Sequence, residues 1–168
     1  LARGSRQHLF TPTTFSLIHA TEFADRWDRK ILPMLKAGFI VLCERYIYTS
    51  FAHDRVRGCD PDWVQELYGF AKAPDVTFFF EMPIHVALAR QAESRRPIDY
   101  FEAGMDLGLS QDAQESYRIF QGRLNEQYLQ MADRYGFVVL NATRSIHAQQ
   151  VTLRDRIGEA LDLERKAS

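Results

Sequence analysis

Three short apolar runs constrain this chain most: residues 39–43, 76–80 (broken only by Thr77) and 137–140. A strand with one wet face alternates apolar and polar side chains, whereas a continuous run suits a strand covered on both faces. Between the runs lie segments of helical period. Thr13 or Thr14 can cap a helix reaching Lys36 or Ala37, with Phe15, Ile18, Phe23, Trp27, Ile31 and Leu35 on its inner stripe and Pro33 kinking it near the end. Gly38 stops that helix. Asp60-Pro61 starts another, with Trp63, Val64, Leu67, Tyr68 and Phe70 inward. Residues 84–95 place Val86, Leu88 and Ala89 inside. Ser110 opens a long helix whose Tyr117, Phe120, Leu124, Tyr128, Met131 and Tyr135 form a core stripe, with Gly136 as its stop. Ser145 caps a last helix that turns Ile146, Val151, Ile157 and Leu161 inward. This alternation predicts one α/β domain, a three-layer α/β/α architecture around a parallel sheet.

The composition excludes several classes of function. With 168 residues, 46% of them hydrophobic, the chain can build its own core. A net charge of −1 argues against bulk attraction to a nucleic acid polymer or a membrane. Of 21 Lys and Arg residues only Lys30, Lys36, Lys72 and Lys166 are lysine, so the chain is rich in the forked cation that grips phosphate oxygens in pairs. Cys43 and Cys59 make no disulfide framework, and His8, His19, His53, His85 and His147 show no metal-ligand spacing. No signal peptide and no run of transmembrane length is present, which points to the cytosol. The chain begins at Leu1 without methionine, and the expectation is that its true beginning is missing.

Ligands of open α/β sheets sit just beyond the carboxyl ends of the strands. There the first run carries Glu44-Arg45-Tyr46, a pair suited to a metal-bound, phosphate-bearing substrate; a structural ion pair capping the strand is the plainer alternative. Thr49, Ser50, His53, Arg55 and Arg57 follow, either the lining of an anionic ligand or a helical turn and loop. His19 and Glu22 lie on the segment leading towards that strand end. Around residues 94–105 the helical pattern breaks, and Arg95 and Arg96 are either a lid over phosphates or a solvated pair.

In order and spacing these pieces resemble the thymidylate kinase family of P-loop nucleoside monophosphate kinases, from Phe15 to about Leu161. Glu44-Arg45-Tyr46 is similar to that family's Asp-Arg-Tyr. Thr49-Ser50-Phe51-Ala52-His53 with Arg57-Gly58 resembles its nucleoside-lining segment. Pro74-Asp75-Val76-Thr77 leading to Glu81 resembles Pro-Asp-Leu-Thr before a strand ending in Asp, and Asn141-Ala142-Thr143 resembles Asp-Ala-Thr. The resemblance implies that Arg45 clamps the acceptor phosphate and Glu44 organises Mg²⁺. It implies that Tyr46, Thr49, Ser50, His53, His19, Phe23, Arg26 and Arg57 border the acceptor. Arg95 and Arg96 would neutralise charge from the lid, and Arg90, Asn141, Thr143 and Arg144 would attend the donor, ATP. It also implies a homodimer.

The chain departs from the family pattern at several positions. His19 and Phe23 stand where the family has a base-stacking phenylalanine and a base-reading arginine. Arg26 stands one turn late for that arginine, and His53 replaces a tyrosine beside the sugar. Asp99-Tyr100-Phe101-Glu102 replaces the usual lid pattern. No Gly-x-x-x-x-Gly-Lys-Ser/Thr occurs anywhere. In the family that loop follows a first strand lying between those represented here by residues 39–43 and 76–80. The expectation is therefore an incomplete kinase lacking roughly 30 or more leading residues, inactive as it stands. The alternatives are a catalytically silent kinase-like binding or interaction module and a kinase for another small phosphorylated acceptor.

Overall fold

The computed structural model describes residues 10–94 and 96–161. It divides into two compact units, Leu1–Lys72 with Met105–Gly108 and Ala73–Gly104 with Leu109–Ser168.

The first unit is helical. Helix α1 (Pro12–Arg26) starts one turn earlier than the sequence suggests: Thr11 is its cap, accepting from the Thr14 amide at 3.2 Å, and Pro12 takes the first helical position, where no N–H is needed. A π-turn, Trp27–Ile31, links α1 to α2 (Leu32–Lys36), with the Leu32 amide donating to the Trp27 carbonyl. The expected effect of Pro33 thus takes the form of a widened turn just before it, because Pro33 has no N–H to continue the α ladder. Helices α3 (Ile47–Val56) and α4 (Pro61–Leu67) complete the set, the latter capped by Asp60 through the Asp62 and Trp63 amides. Phe23, Trp27, Ile31, Ile47, Val64 and Tyr68 form the core, and Ile18 and Phe70, expected inside, are exposed.

The run at residues 39–43 is not a strand. It has no regular structure, and among the described residues no strand pairs with it; Ile40 is 74% and Leu42 90% exposed, while Val41 packs against the core. A strand needs a neighbour for its N–H and C=O groups, and apolar sequence alone does not supply one. Cys43 accordingly lies in an exposed irregular segment and not in a strand, while Cys59 is buried.

The second unit holds the sheet. Strands β1 (Phe78–Glu81) and β2 (Val138–Asn141) pair in parallel, Phe78 opposite Val138 and Glu81 opposite Asn141. Both lie slightly later in the chain than their apolar runs suggest. Helix α5 (Ile84–Glu93) has no buried residue, and Ala89 is exposed where an inward position was expected. Helix α6 (Ala113–Tyr135) carries Phe120, Leu124 and Met131 inward and stacks Tyr128 on Phe79 at 5.2 Å, as its periodicity predicts. Its cap is Asp112, which accepts from the Glu115 amide, whereas Ser110 serves the Asp112 amide. Gly136 ends α6 at φ 66°. Helix α7 (Ile146–Ala160) is capped by Ser145 as expected, but Ile146, Val151 and Ile157 are exposed.

The turn at residues 99–104 is fastened to α6. Asp99 accepts from the Phe101 and Glu102 amides, Ser116 Oγ donates to the Ala103 carbonyl at 2.7 Å, and Gln121 donates to the Glu102 carbonyl. Gly104, at φ 63°, lies against the fully buried ring of Phe120.

Candidate functional site

In the first unit, α1, the π-turn, α2 and the segment before α3 frame an open cleft of about 370 Å³. Phe23, Ile31, Met34 and Val41 give it an apolar floor, and Arg26, Lys30, Glu44 and Arg45 stand on its rim. Three cations against one carboxylate favour an anionic guest, and the apolar floor suits a flat or aromatic body. Arg45 has φ 63° and is the only non-glycine residue with a left-handed backbone among those described. Such a conformation costs an arginine roughly 1–2 kcal/mol and tends to persist where function holds it. Glu44 and Arg45 are both exposed.

Phe23 is 3% exposed, with its ring edge-on to Tyr46 and Tyr68. Arg26 lies over that ring at 5.2 Å and meets Glu22 at 3.6 Å, and its buried Nε has no hydrogen-bond partner. Tyr46 donates to the Lys72 carbonyl, and burial pushes its hydroxyl up to about 12. His19 packs against Phe15 at 4.5 Å. Thr49 and Ser50 lie half-buried in the first half of α3.

Behind these residues lies a buried polar network. Arg57, its side chain 2% exposed, grips Asp106 through Nε at 2.9 Å and Nη2 at 3.4 Å. Its Nη1 stands 3.3 Å from His53 Nδ1, and its guanidinium covers the Phe15 ring at 4.7 Å. Burial, with the charges of Arg57, Arg45 and His19, pulls His53 down to about 3. The ring is therefore neutral at physiological pH, with Nδ1 accepting from Arg57 and the proton on Nε2. Asp54 is 2% exposed and accepts from Ser16 Oγ at 2.5 Å. Burial raises its carboxyl above the usual range, against the pull of Ser16 and Arg57.

The second unit gathers a different group. Arg90 Nη2 donates to the Ala142 carbonyl at 3.2 Å, which ties α5 to the turn after β2. In that turn Asn141 Oδ1 accepts from the Thr143 amide and hydroxyl, and Arg144 is exposed beside it. Arg96 is exposed, its carbonyl accepting from Gln91. Arg95 lies outside the described residues.

The expected acceptor residues thus fall together in one unit, and Arg90 falls with the residues after β2 in the other. Lys30, Asp54, Ser16 and Asp106 were not singled out in the sequence. Lys30 follows Arg26 by one turn, a legible signal; the partners of Asp54 and Asp106 lie 38 and 49 residues away in the chain. Among the described residues no three His, Cys, Asp or Glu cluster as metal ligands. A lone Glu44 beside Arg45 still fits Mg²⁺, which enters phosphoryl-transfer sites on the substrate's phosphates with one or two carboxylates and several waters.

Helices packed on a parallel strand pair in one unit, and a helical unit that carries a cationic cleft, define an α/β protein. Residues 5–152 match the family model described as Thymidylate kinase, and the chain belongs to the thymidylate kinase family. It is 39% identical over 163 residues to a probable thymidylate kinase 2 of Saccharolobus solfataricus, covering 96% of this chain and 76% of that protein. It is 29% identical to a probable thymidylate kinase of Thermococcus kodakarensis, covering 82% and 62%, and 26% identical to one of Pyrococcus abyssi, covering 78% and 58%. The chain thus spans about three-fifths of the length of the second and third of these relatives.

Proposed function

We propose that the protein is a nucleoside monophosphate kinase that moves the γ-phosphoryl group of ATP to a (deoxy)nucleoside 5′-monophosphate, built on one thymidylate kinase-like domain. The observation that carries this reading is Arg45, held in a left-handed backbone at the rim of a cationic, apolar-floored cleft. Family membership and the relatives' names support it.

Phosphoryl transfer needs positioning and charge neutralisation more than covalent chemistry. In this reading Arg45 clamps the acceptor phosphate, and Arg26 and Lys30 add positive potential along the cleft. His19, Phe23, Tyr46, Thr49, Ser50, His53 and Arg57 shape the acceptor side. Glu44 would hold Mg²⁺, which when bound neutralises donor phosphate charge. Arg95 and Arg96 neutralise charge from the lid, and Arg90, Asn141, Thr143 and Arg144 border the donor. No described helix is long and apolar enough to cross a membrane, and a homodimer in the cytosol completes the proposal.

These 168 residues contain no Gly-x-x-x-x-Gly-Lys-Ser/Thr loop, so this chain is expected to bind an acceptor without turnover. The departures from the family pattern at His19, Phe23 and His53 favour a second reading, a silent nucleotide-binding module. ATP consumption in the presence of a nucleoside monophosphate separates the two, since only the kinase turns ATP over.

Titration calorimetry with thymidine 5′-monophosphate, and with the other nucleoside monophosphates, tests the acceptor site. Arg45→Ala removes a charge-assisted phosphate contact and is expected to weaken binding about 10- to 100-fold. Undiminished binding by a folded Arg45→Ala variant would remove Arg45 from the site.

A further inference from the structure

We infer that Asp106 is a positioning residue for the acceptor site: by gripping Arg57 along its Nε–Nη2 edge, it aims Nη1 at His53 Nδ1 and fixes that ring in its Nε2–H tautomer. The inference rests on the proposed acceptor site only for its effect on binding; its effect on the ring belongs to the free protein.

A guanidinium is planar, so fixing one edge fixes the direction of its remaining nitrogen. Asp106 fixes that edge with two bonds, at 2.9 and 3.4 Å, from the short turn Met105–Leu107. The remaining nitrogen, Nη1, meets His53 Nδ1 at 3.3 Å and the His53 carbonyl at 3.5 Å. Phe15 closes one face of the guanidinium at 4.7 Å, so the group has little room to swing. A guanidinium only donates hydrogen bonds, so the Nδ1 it meets must be the bare, accepting nitrogen. The proton then sits on Nε2, and the ring enters the acceptor side as a donor of defined position. Arg57 itself is 6% exposed, so on this geometry it serves the nucleotide through His53 rather than by touching it.

The decisive measurement is the ¹⁵N–¹H two-bond spectrum of the His53 ring at neutral pH, followed by binding of thymidine 5′-monophosphate. The unmodified chain should show one tautomer, with Nδ1 unprotonated and hydrogen-bonded. In Asp106→Ala the Nδ1 signal should move to the position of an unbonded acceptor and a second tautomer should appear. Asp106→Glu should restore much of the original spectrum. Should Asp106→Ala fail to fold, Asp106→Asn keeps the side-chain shape and is read in its place, with the same changes in smaller measure.

Binding to Asp106→Ala should weaken about fivefold to tenfold, whereas in a His53→Gln background, where an amide N–H replaces Nε2–H, the same change should cost less than about twofold. An unchanged ring spectrum in a folded Asp106→Ala variant, or equal losses in both backgrounds, would overturn the inference. If the unmodified chain bound no nucleotide, the acceptor-site reading would fall, while the ring spectra would still decide the role of Asp106.

Discussion

Gly104→Ala should destabilise the second unit by roughly 2–5 kcal/mol, a large part of a typical domain's stability. Two costs combine. The backbone at Gly104 sits at φ 63°, where an L side chain is strained by roughly 1–2 kcal/mol. An added Cβ would also lie 2.6 Å from Cγ of Phe120 and 2.8 Å from its Cβ, and overpacking of this kind costs about 1–3 kcal/mol. Phe120 cannot easily retreat, being fully buried within α6. The turn cannot lift away either, because Ser116 and Gln121 hold the carbonyls of Ala103 and Glu102. Gly136→Ala is the matched control: φ is 66° there, yet nothing lies within 4 Å of the new Cβ, so only the backbone strain is added. Urea unfolding followed by circular dichroism measures both. If Gly104→Ala cost no more than Gly136→Ala, the Phe120 ring would have room to move, and the tight contact would have no energetic weight.

The second large effect is on pH dependence. His53 titrates near 3 in the folded protein and near 6.5 when unfolded. Between those values the unfolded chain binds a proton that the folded chain refuses, so stability falls as pH drops from about 6.5 towards 3; above 6.5 the group contributes no slope. The full interval corresponds to an effect on the order of 5 kcal/mol, since each unit is worth about 1.4. Asp54 works the other way. Its carboxyl is raised in the fold, so around and above the ordinary carboxylate value of 3.8 it favours the folded state less as pH rises. Urea midpoints measured from pH 7 to pH 4.5 should therefore decline in the unmodified chain and stay nearly level in His53→Gln. An equal decline in both would mean that another group refuses the proton.

Local signals in the sequence mark several element ends and one core stripe. Asp60-Pro61 and Ser145 start their helices and Gly136 ends one, as their chemistry dictates, and the stripe of α6 follows from its spacing. The π-turn was half visible. Phe23, Trp27, Ile31 and Leu35 are spaced by four throughout, and at 3.6 residues per turn three such steps drift by about 120° around an ideal helix. A widened turn takes up that drift and keeps Leu35 packed against the core, so the spacing itself marks the deviation. What escaped the reading depends on distant partners. The run at residues 39–43 has strand-like residues but no ladder, and Ile146 and Val151 are exposed despite their spacing. Glu44 and Arg45, which both line the cleft, are legible as a pair because they are neighbours in sequence. Ser16 with Asp54, and Arg57 with Asp106, join residues that no local pattern connects.

The Arg57–Asp106 pair also orders events during synthesis. At 5–20 residues per second, the 49 residues between them take roughly 2–10 s to emerge. Throughout that interval α1, α3 and α4 can assemble, but Arg57 still lacks its carboxylate. The ribosome thus delivers the first unit in two instalments, with the turn at Asp106 as the late one.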